Sequence, residues 1–421
     1  MEANFRPAAR PTTRSERTYA MSPRFLRLAV VLGLLSAIGP FAIDMYLPAL
    51  PSIGADLGAT TNAVQLSLLV FFLSSGLAQI LVGPLSDMFG RKAPLYMSLV
   101  LFALGGIGSA LAPTIEWLIV ARFVQGLGAA AGMVVPRAIV RDLHTGNEAA
   151  RLMSLLMLVF SVSPILAPLG GSIVIEAFGW RAVFWFVTGA ALVAIAMLAF
   201  TLKETRPASA RLESSIGGAL AGYRLLLGDR NFLGLTFIGA FGMSSFFVYL
   251  ASSSFILIDR YGLTPAQYSI AFSINAVAFI GMSQLTGTFA DRFGLRRVVR
   301  VAVTGYTTTM VVLFGLTVTG VDRLDVMAGL LFVGYGFLGL VIPTTAVLAL
   351  EDHGEIAGTA SALMGTLQLA TGAAAMAVVG LFFDGTSLPM VAGIAIAAVI
   401  AFVLTRATLA RAPLAVGTPA E

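Results

Sequence analysis

The chain has no cysteine, which excludes disulfides, thiolate metal sites and cysteine nucleophiles. It is also poor in charge. Asp, Glu, Lys and Arg make up 11% of its 421 residues, where a soluble chain carries about 25%. So few charges cannot cover the surface of a soluble protein of this length. A phosphate-cradling Gly-x-x-x-x-Gly-Lys-Ser/Thr loop is missing too, which argues against an ATP-driven pump. What remains is 58% apolar, so the 44 glycines and 18 prolines do not signal disorder. The composition is that of a polytopic membrane protein.

Crossing roughly 30 Å of hydrocarbon takes about 20 residues of helix. Ten uncharged segments reach that length: 57–86, 93–115, 152–175, 182–202, 231–258, 261–290, 301–321, 326–350, 356–383 and 385–405. Two more carry a single charge each, Asp44 within 28–55 and Arg122 within 117–136. The expected architecture is therefore an all-α membrane protein of twelve transmembrane helices. Barrel strands are shorter and alternate in polarity, which these runs do not.

An even number of spans places both termini on one side. With that side cytoplasmic, 22 of the 26 Lys and Arg fall inside; Arg181, Arg260 and Arg323 fall outside, and Arg122 within the membrane. The positive-inside rule needs only a modest bias, so both termini are expected to be cytoplasmic. In this scheme Arg137, Arg141 and Arg151 occupy the connection after span 4, and His144 and His353 sit solvated in cytoplasmic connections. The net charge of +5 is then a topological signal and gives no separate support for nucleic-acid binding. No cleavable signal peptide is visible, because residues 1–27 are polar and basic and the first apolar run is a full span. Met21 is an alternative start to Met1. The division expected is a cytoplasmic tail at 1–27, a six-helix half at 28–202, a linker at 203–230, a second six-helix half at 231–405 and a tail at 406–421.

An internal repeat supports the two halves. Gly83-Pro84-Leu85-Ser86-Asp87-Met88-Phe89-Gly90-Arg91-Lys92 follows span 2, and Gly287, Asp291, Phe293 and Gly294 repeat its Gly, Asp, Phe and Gly at an offset of 204 after span 8. Glycine permits tight turns, Asp87 can cap a helix start, and the basic residues suit an anionic leaflet. This doubled loop resembles the signature of the major facilitator superfamily between its second and third helices. The resemblance implies a transporter with a loop that stabilises one state of alternating access, a role that Gly83, Asp87, Gly90, Arg91, Lys92 and, in the second copy, Asp291 carry over.

Asp44 and Arg122 are the two charges this map leaves inside the membrane. Counting from the expected helix ends puts them about 9 Å and 8 Å deep. Each is costly there unless paired or wet, so each is a functional candidate. For Asp44, burial favours the neutral acid that a proton carrier needs, whereas a close Arg122 would favour a fixed carboxylate. Arg122 lies in Ala121-Arg122-Phe123-Val124-Gln125-Gly126-Leu127-Gly128, similar to the family's helix 4 signature. It can tune proton transfer, contact substrate or bond helix-end carbonyls. Span 5 reads Ser163-Pro164-Ile165-Leu166-Ala167-Pro168-Leu169-Gly170-Gly171, resembling the family's antiporter motif with Ser163 and Ala167 where glycines are usual. Pro164, Pro168, Gly170 and Gly171 keep the proline kink and the small-residue packing.

Together with Gly358-Thr359-Ala360-Ser361-Ala362-Leu363 opening span 11, these motifs resemble the bicyclomycin-resistance (Bcr/CflA) drug/proton antiporters over residues 24–408. The resemblance implies multidrug efflux from a bacterial inner membrane, with protons as the coupling ion and no other cofactor or metal. Its partners are small amphipathic molecules and the lipid bilayer, with no nucleic acid and a monomeric state. A symporter or facilitator of a small metabolite is the competing reading, since one fold hosts many functions. An enzyme is not expected, because no titratable constellation is available outside the loops. Tyr46, Phe247, Tyr249, Asn275, Tyr335 and Gln368 are candidates to line a substrate cavity, by the rule that promiscuous sites use aromatic faces and few polar groups.

Overall fold

A computed structural model describes residues 23–144, 146–207 and 216–409. Residues 1–22, with Arg6, Arg10, Arg14, Arg17 and both alternative starts, lie outside the described residues, as do Arg211 and everything beyond Leu409. The first half contains α1 (Pro23–Asp44), α2 (Leu50–Leu57), α3 (Thr61–Phe89), α4 (Lys92–Ala110), α5 (Ile115–Leu143), α6 (Gly146–Phe178) and α7 (Arg181–Thr201). A short helix, α8 (Ile216–Gly228), precedes the second half. That half contains α9 (Arg230–Ser254), α10 (Pro265–Gln284), α11 (Thr286–Phe293), α12 (Leu295–Val318), α13 (Leu324–Glu351), α14 (Ala357–Leu381) and α15 (Leu388–Leu409). Eleven helices are long and apolar enough to span a membrane, and α10 with α11, bent by 41°, makes twelve.

Several helices differ from the expected spans. The first was expected to run on to about Leu50, but α1 stops at Asp44 and the chain turns through a short 3-10 segment, Leu47–Ala49, into α2. Pro48 and Pro51 explain the break: Pro48 has no N–H to bond the Asp44 carbonyl, and each proline disfavours helix in the residue before it. Elsewhere helices absorb presumed loops. Arg137 and Arg141 lie inside α5, and Arg151 inside α6, rather than in a connection. The linker itself contains α8.

Within each half, helices pack around apolar interiors, α3 and α4 against α5 in the first, and α9 against α13, α14 and α15 in the second. The halves meet along two seams, α3 on α14 and α6 on α10. Thr366 Oγ1 donates to the Gly76 carbonyl at 3.0 Å on the first seam. On the second, the hydroxyls of Ser269 and Ser273 donate to the carbonyls of Pro168 and Ile165, both at 2.9 Å.

The end of the bundle where α1 begins, here called the basic end, carries Arg91, Lys92, Arg292, Arg296, Arg297 and Arg300. At the opposite, far end the halves also touch directly. Leu47–Ala49 meets α9 and α10, and α2 meets the turn Phe255–Arg260. Gln65 Nε2 donates to the Ala251 carbonyl at 3.2 Å, and Phe72 packs on Phe247 with ring centroids 4.6 Å apart. Among the described residues no comparably extended contact joins α1 or α5 to α9 or α13. The bundle is therefore closed at its far end and parted along these helices toward the basic end.

Candidate functional site

The break after α1 places Asp44 at the helix terminus, buried, beside α6. Ser163 Oγ donates to Asp44 Oδ2 at 2.9 Å. Among the described residues no Lys, Arg or His lies within ion-pairing distance of it. Gly171 makes the approach of α6 possible, since a Cβ there would stand 2.4 Å from the Met45 carbonyl oxygen. Gly170, next to it, faces open space. Pro164 and Pro168 both lie within α6, and of the helix-5 motif residues Gly171 is the one that meets the chain just after α1, while the Pro168 carbonyl accepts from Ser269 on the seam with α10.

Arg122 is fully buried on α5 and does not pair with Asp44. Its Nη1 donates to Gln125 Oε1 at 2.7 Å and to the Ala42 carbonyl at 3.4 Å. The guanidinium lies over Phe71 at 4.2 Å and Tyr46 at 4.7 Å, with Phe184 at 5.7 Å from ring centroid to Cζ. Among the described residues Nε and Nη2 have no hydrogen-bond partner. The aromatic faces thus supply part of the stabilisation that a carboxylate would otherwise give a desolvated cation. Gln125 was not singled out from the sequence, although its spacing of three from Arg122 puts both on one helix face.

The doubled loop is built asymmetrically. In the first copy Gly90 has φ +89°, a left-handed conformation that glycine adopts without a Cβ clash, and the chain turns there from α3 into α4. Arg91 binds Asp142 of α5 through both arms, Nε to Oδ2 at 2.7 Å and Nη2 to Oδ1 at 3.0 Å. Its Nη1 reaches Asp87 Oδ1 at 2.7 Å and Ser86 Oγ at 2.9 Å. Glu204, just after α7, accepts from the backbone N–H groups of Arg91 and Lys92 and caps the otherwise uncapped start of α4. Arg206 and Thr205 close the cluster onto Asp87 and Asp142. Asp142, Glu204 and Arg206 carry no sequence signal of their own, because they come from elements distant in the chain. Gly83 faces open space. In the second copy Gly294 repeats the turn with φ +78°, yet Asp291 is exposed and makes no hydrogen bond or ion pair among the described residues.

The candidate cavity residues fall into separate groups. Tyr249, Asn275 and Tyr335 cluster in the second half, where Asn275 Nδ2 donates to Tyr249 Oη at 3.0 Å and the two tyrosine rings lie 5.5 Å apart. Tyr46 belongs to the Arg122 cage and also bonds Ser67 Oγ at 2.7 Å. Phe247 sits on the far-end contact with Phe72. Gln368 stands beside Gly239 with Thr345, partly exposed. His353, expected to be solvated, is buried: its Nε2 lies 3.1 Å from Asp229 Oδ2 and its ring packs edge-on to Phe232.

Two seamed halves of six spans each, with ionisable groups buried where one span breaks, define the architecture of a membrane transporter built from related halves. The description of the Major Facilitator Superfamily matches residues 32–376, and the chain belongs to that family of transporters. It is 39% identical to the uncharacterized MFS-type transporter YdgK of Bacillus subtilis (strain 168), over 89% of this chain and 93% of that one. It is 29% identical to a bicyclomycin resistance protein homolog of Haemophilus influenzae, covering 86% and 90% of the two chains. With multidrug resistance protein D of Escherichia coli (strain K12) it shares 29% identity, over 82% and 86%. A solved D-xylose-proton symporter shares the fold with a TM-score of 0.68 at 17% identity, over 91% of this chain and 97% of that one.

Proposed function

We propose that this protein exports small amphipathic compounds, drugs among them, across a bacterial inner membrane in exchange for protons by alternating access. In this reading the basic end faces the cytoplasm, which the distribution of cations supports, and the far end faces out. The structure is then an inward-facing state. The relatives named for multidrug and bicyclomycin resistance support a drug substrate.

One observation carries the coupling. Asp44 is a buried carboxyl with a single hydroxyl donor and no cation, held at a helix break beside the seam that must rearrange when the halves rock. A carboxyl without a permanent counter-charge is the group that can gain and lose a proton as its surroundings change from dry to wet. Arg122, caged one helix away, sets the local potential without neutralising Asp44 permanently. Of the loop residues, Arg91 and Asp87, tied to Asp142 of α5, brace the first half while it moves.

The test is transport in proteoliposomes with an imposed pH gradient and no membrane voltage. Drug movement opposite to the proton flow is expected, and Asp44→Asn abolishes uphill movement while leaving downhill exchange of the drug. An Asp44→Asn protein that still concentrates drug from a proton gradient alone overturns the reading. Co-directional movement of proton and substrate selects a symporter instead.

A further inference from the structure

One charged side chain within the spans has no role in the coupling just described. Arg137 lies on α5 six residues before its end, so about 9 Å inside the basic end. Protein surrounds it on most sides, yet its surface is exposed. It makes no hydrogen bond or ion pair among the described residues. The Phe160 ring of α6 lies 5.4 Å from its guanidinium carbon. One turn deeper on the same face, Met133 accepts weak hydrogen bonds from Ser75 and Gln79 of α3, and one turn shallower stands the exposed Arg141.

Among the described residues α5 packs on α1, α3, α4 and α6 and makes no extended contact with the second half, so we place this face on the space where the halves part. On α1, which packs on α5, α6 and α7, partial or full exposure recurs at Val30, Leu34, Ala37 and Phe41, a helical stripe that we assign to the same space. The second half adds no charge inside α9, α13 or α14, where charged residues occur only at the helix ends. Asp44 is held by Ser163 near the closed end, and the acids of α3, α5 and α6 (Asp87, Glu116, Asp142, Glu148 and Glu176) all lie within three residues of a helix end. On this placement Arg137 is a cationic spot at the inner rim of a vestibule to which α9, α13 and α14 bring no charge away from their ends.

An arginine at this depth is costly unless water or an anion meets it. Stacked on a ring, the guanidinium keeps its five N–H donors directed outward, in a fork that matches a carboxylate, sulfonate or phosphate oxygen pair. Low-dielectric walls concentrate its field. We propose that Arg137 and Phe160 form a recognition subsite for amphipathic compounds bearing an anionic group, the anion on the guanidinium and the apolar body along Phe160 and the exposed stripe of α1. The inference deepens the export reading, resting on it for the vestibule as the substrate path, and names the substrate class.

The test is equilibrium binding without any gradient, using full-length protein in phosphatidylcholine nanodiscs. Two fluorescent probes share an aryl-naphthyl body: 8-anilinonaphthalene-1-sulfonate, an anion, and N-phenyl-1-naphthylamine, which is neutral. Arg137→Gln is expected to weaken sulfonate binding about tenfold, as loss of a charge-assisted contact does, and to leave the neutral probe unchanged. Arg137→Lys recovers part of the difference, and Phe160→Leu weakens both probes. The unchanged neutral probe also reports that the variant is folded. The proposal is overturned by a sulfonate Kd within twofold of wild type in Arg137→Gln, or by equal weakening of both probes. It is overturned too if discs containing phosphatidylglycerol erase the wild-type advantage, which would make a lipid headgroup the occupant. Failure of proton exchange shows up separately, as absence of gradient-driven transport with these binding constants intact.

Discussion

Gly170 and Gly171 are neighbours in one motif, and the structure gives them opposite weights. A methyl group at Gly171 would press 2.4 Å from the Met45 carbonyl oxygen and 2.8 Å from Met45 Cα, both backbone atoms that cannot swing aside. Gly171→Ala must therefore push α6 off the broken end of α1, at a cost of roughly 1–3 kcal/mol for overpacking. It should lower the melting temperature in detergent and displace Ser163 from Asp44. Gly170→Ala meets nothing within 4 Å and, by removing a flexible glycine from a helix, should be neutral or slightly stabilising. Equal melting shifts for the two variants would refute this packing. At this scale the sequence revealed which residues are unusual but not what they touch. Asp44 and Arg122 stood out because charge is scarce, whereas their separation depends on where α1 breaks and on three rings that converge on Arg122, Tyr46 from the break itself, Phe71 from α3 and Phe184 from α7. Arg137 was misplaced because a cation near the expected end of a span looks the same whether the helix stops before it or runs on.

Among elements, the two loop copies differ in what supports them. The first is tied by Arg91 to Asp142 and Asp87 and by Glu204 to the start of α4; the second has the same glycine turn and a bare Asp291. Arg91 is 4% exposed, so Arg91→Ala leaves Asp142 without its bidentate partner in a partly buried setting. A loss of about 3 kcal/mol is expected, against less than about 0.5 kcal/mol for Asp291→Ala at an exposed site. Denaturant or thermal unfolding of the two variants checks the contrast, and a comparable loss for both would contradict it. The repeat was legible because it is written in glycine spacing; its asymmetry was not, because the partners Asp142, Glu204 and Arg206 lie 51 to 119 residues from their contacts. A second element shows the same limit. Pro84 has no N–H, so the Ile80 carbonyl of α3 lacks its helical donor. Tyr223 of α8 supplies one, its hydroxyl donating at 3.1 Å. The proline was plain in the sequence, but the helix that serves it lay in what read as an unstructured connection.

For the whole molecule, closure at the far end rests on few contacts, which suits a gate that must open in every cycle. The absence of native cysteine allows a direct test. Gln65→Cys and Ala251→Cys place two thiols across the gate, and a short bis-methanethiosulfonate reagent should bridge them. Transport should stop on bridging and return on reduction, whereas continued transport in the bridged state would show that the far end never parts. The twelve-span architecture was readable from the lengths of segments carrying at most one charge, since hydrocarbon thickness leaves little choice. Which end is closed was not, because the same sequence must satisfy both states. The position of α8 has one more consequence. It meets α3 through Tyr223 and packs on α14 where Gly222 faces Thr359, so it belongs to the surface shared by the two halves. The seams of α3 on α14 and α6 on α10 likewise do not depend on the peptide bonds between Pro207 and Ile216. Severing the chain there leaves every one of these contacts available, so the halves are in effect two subunits, and two separate genes could encode what one does now.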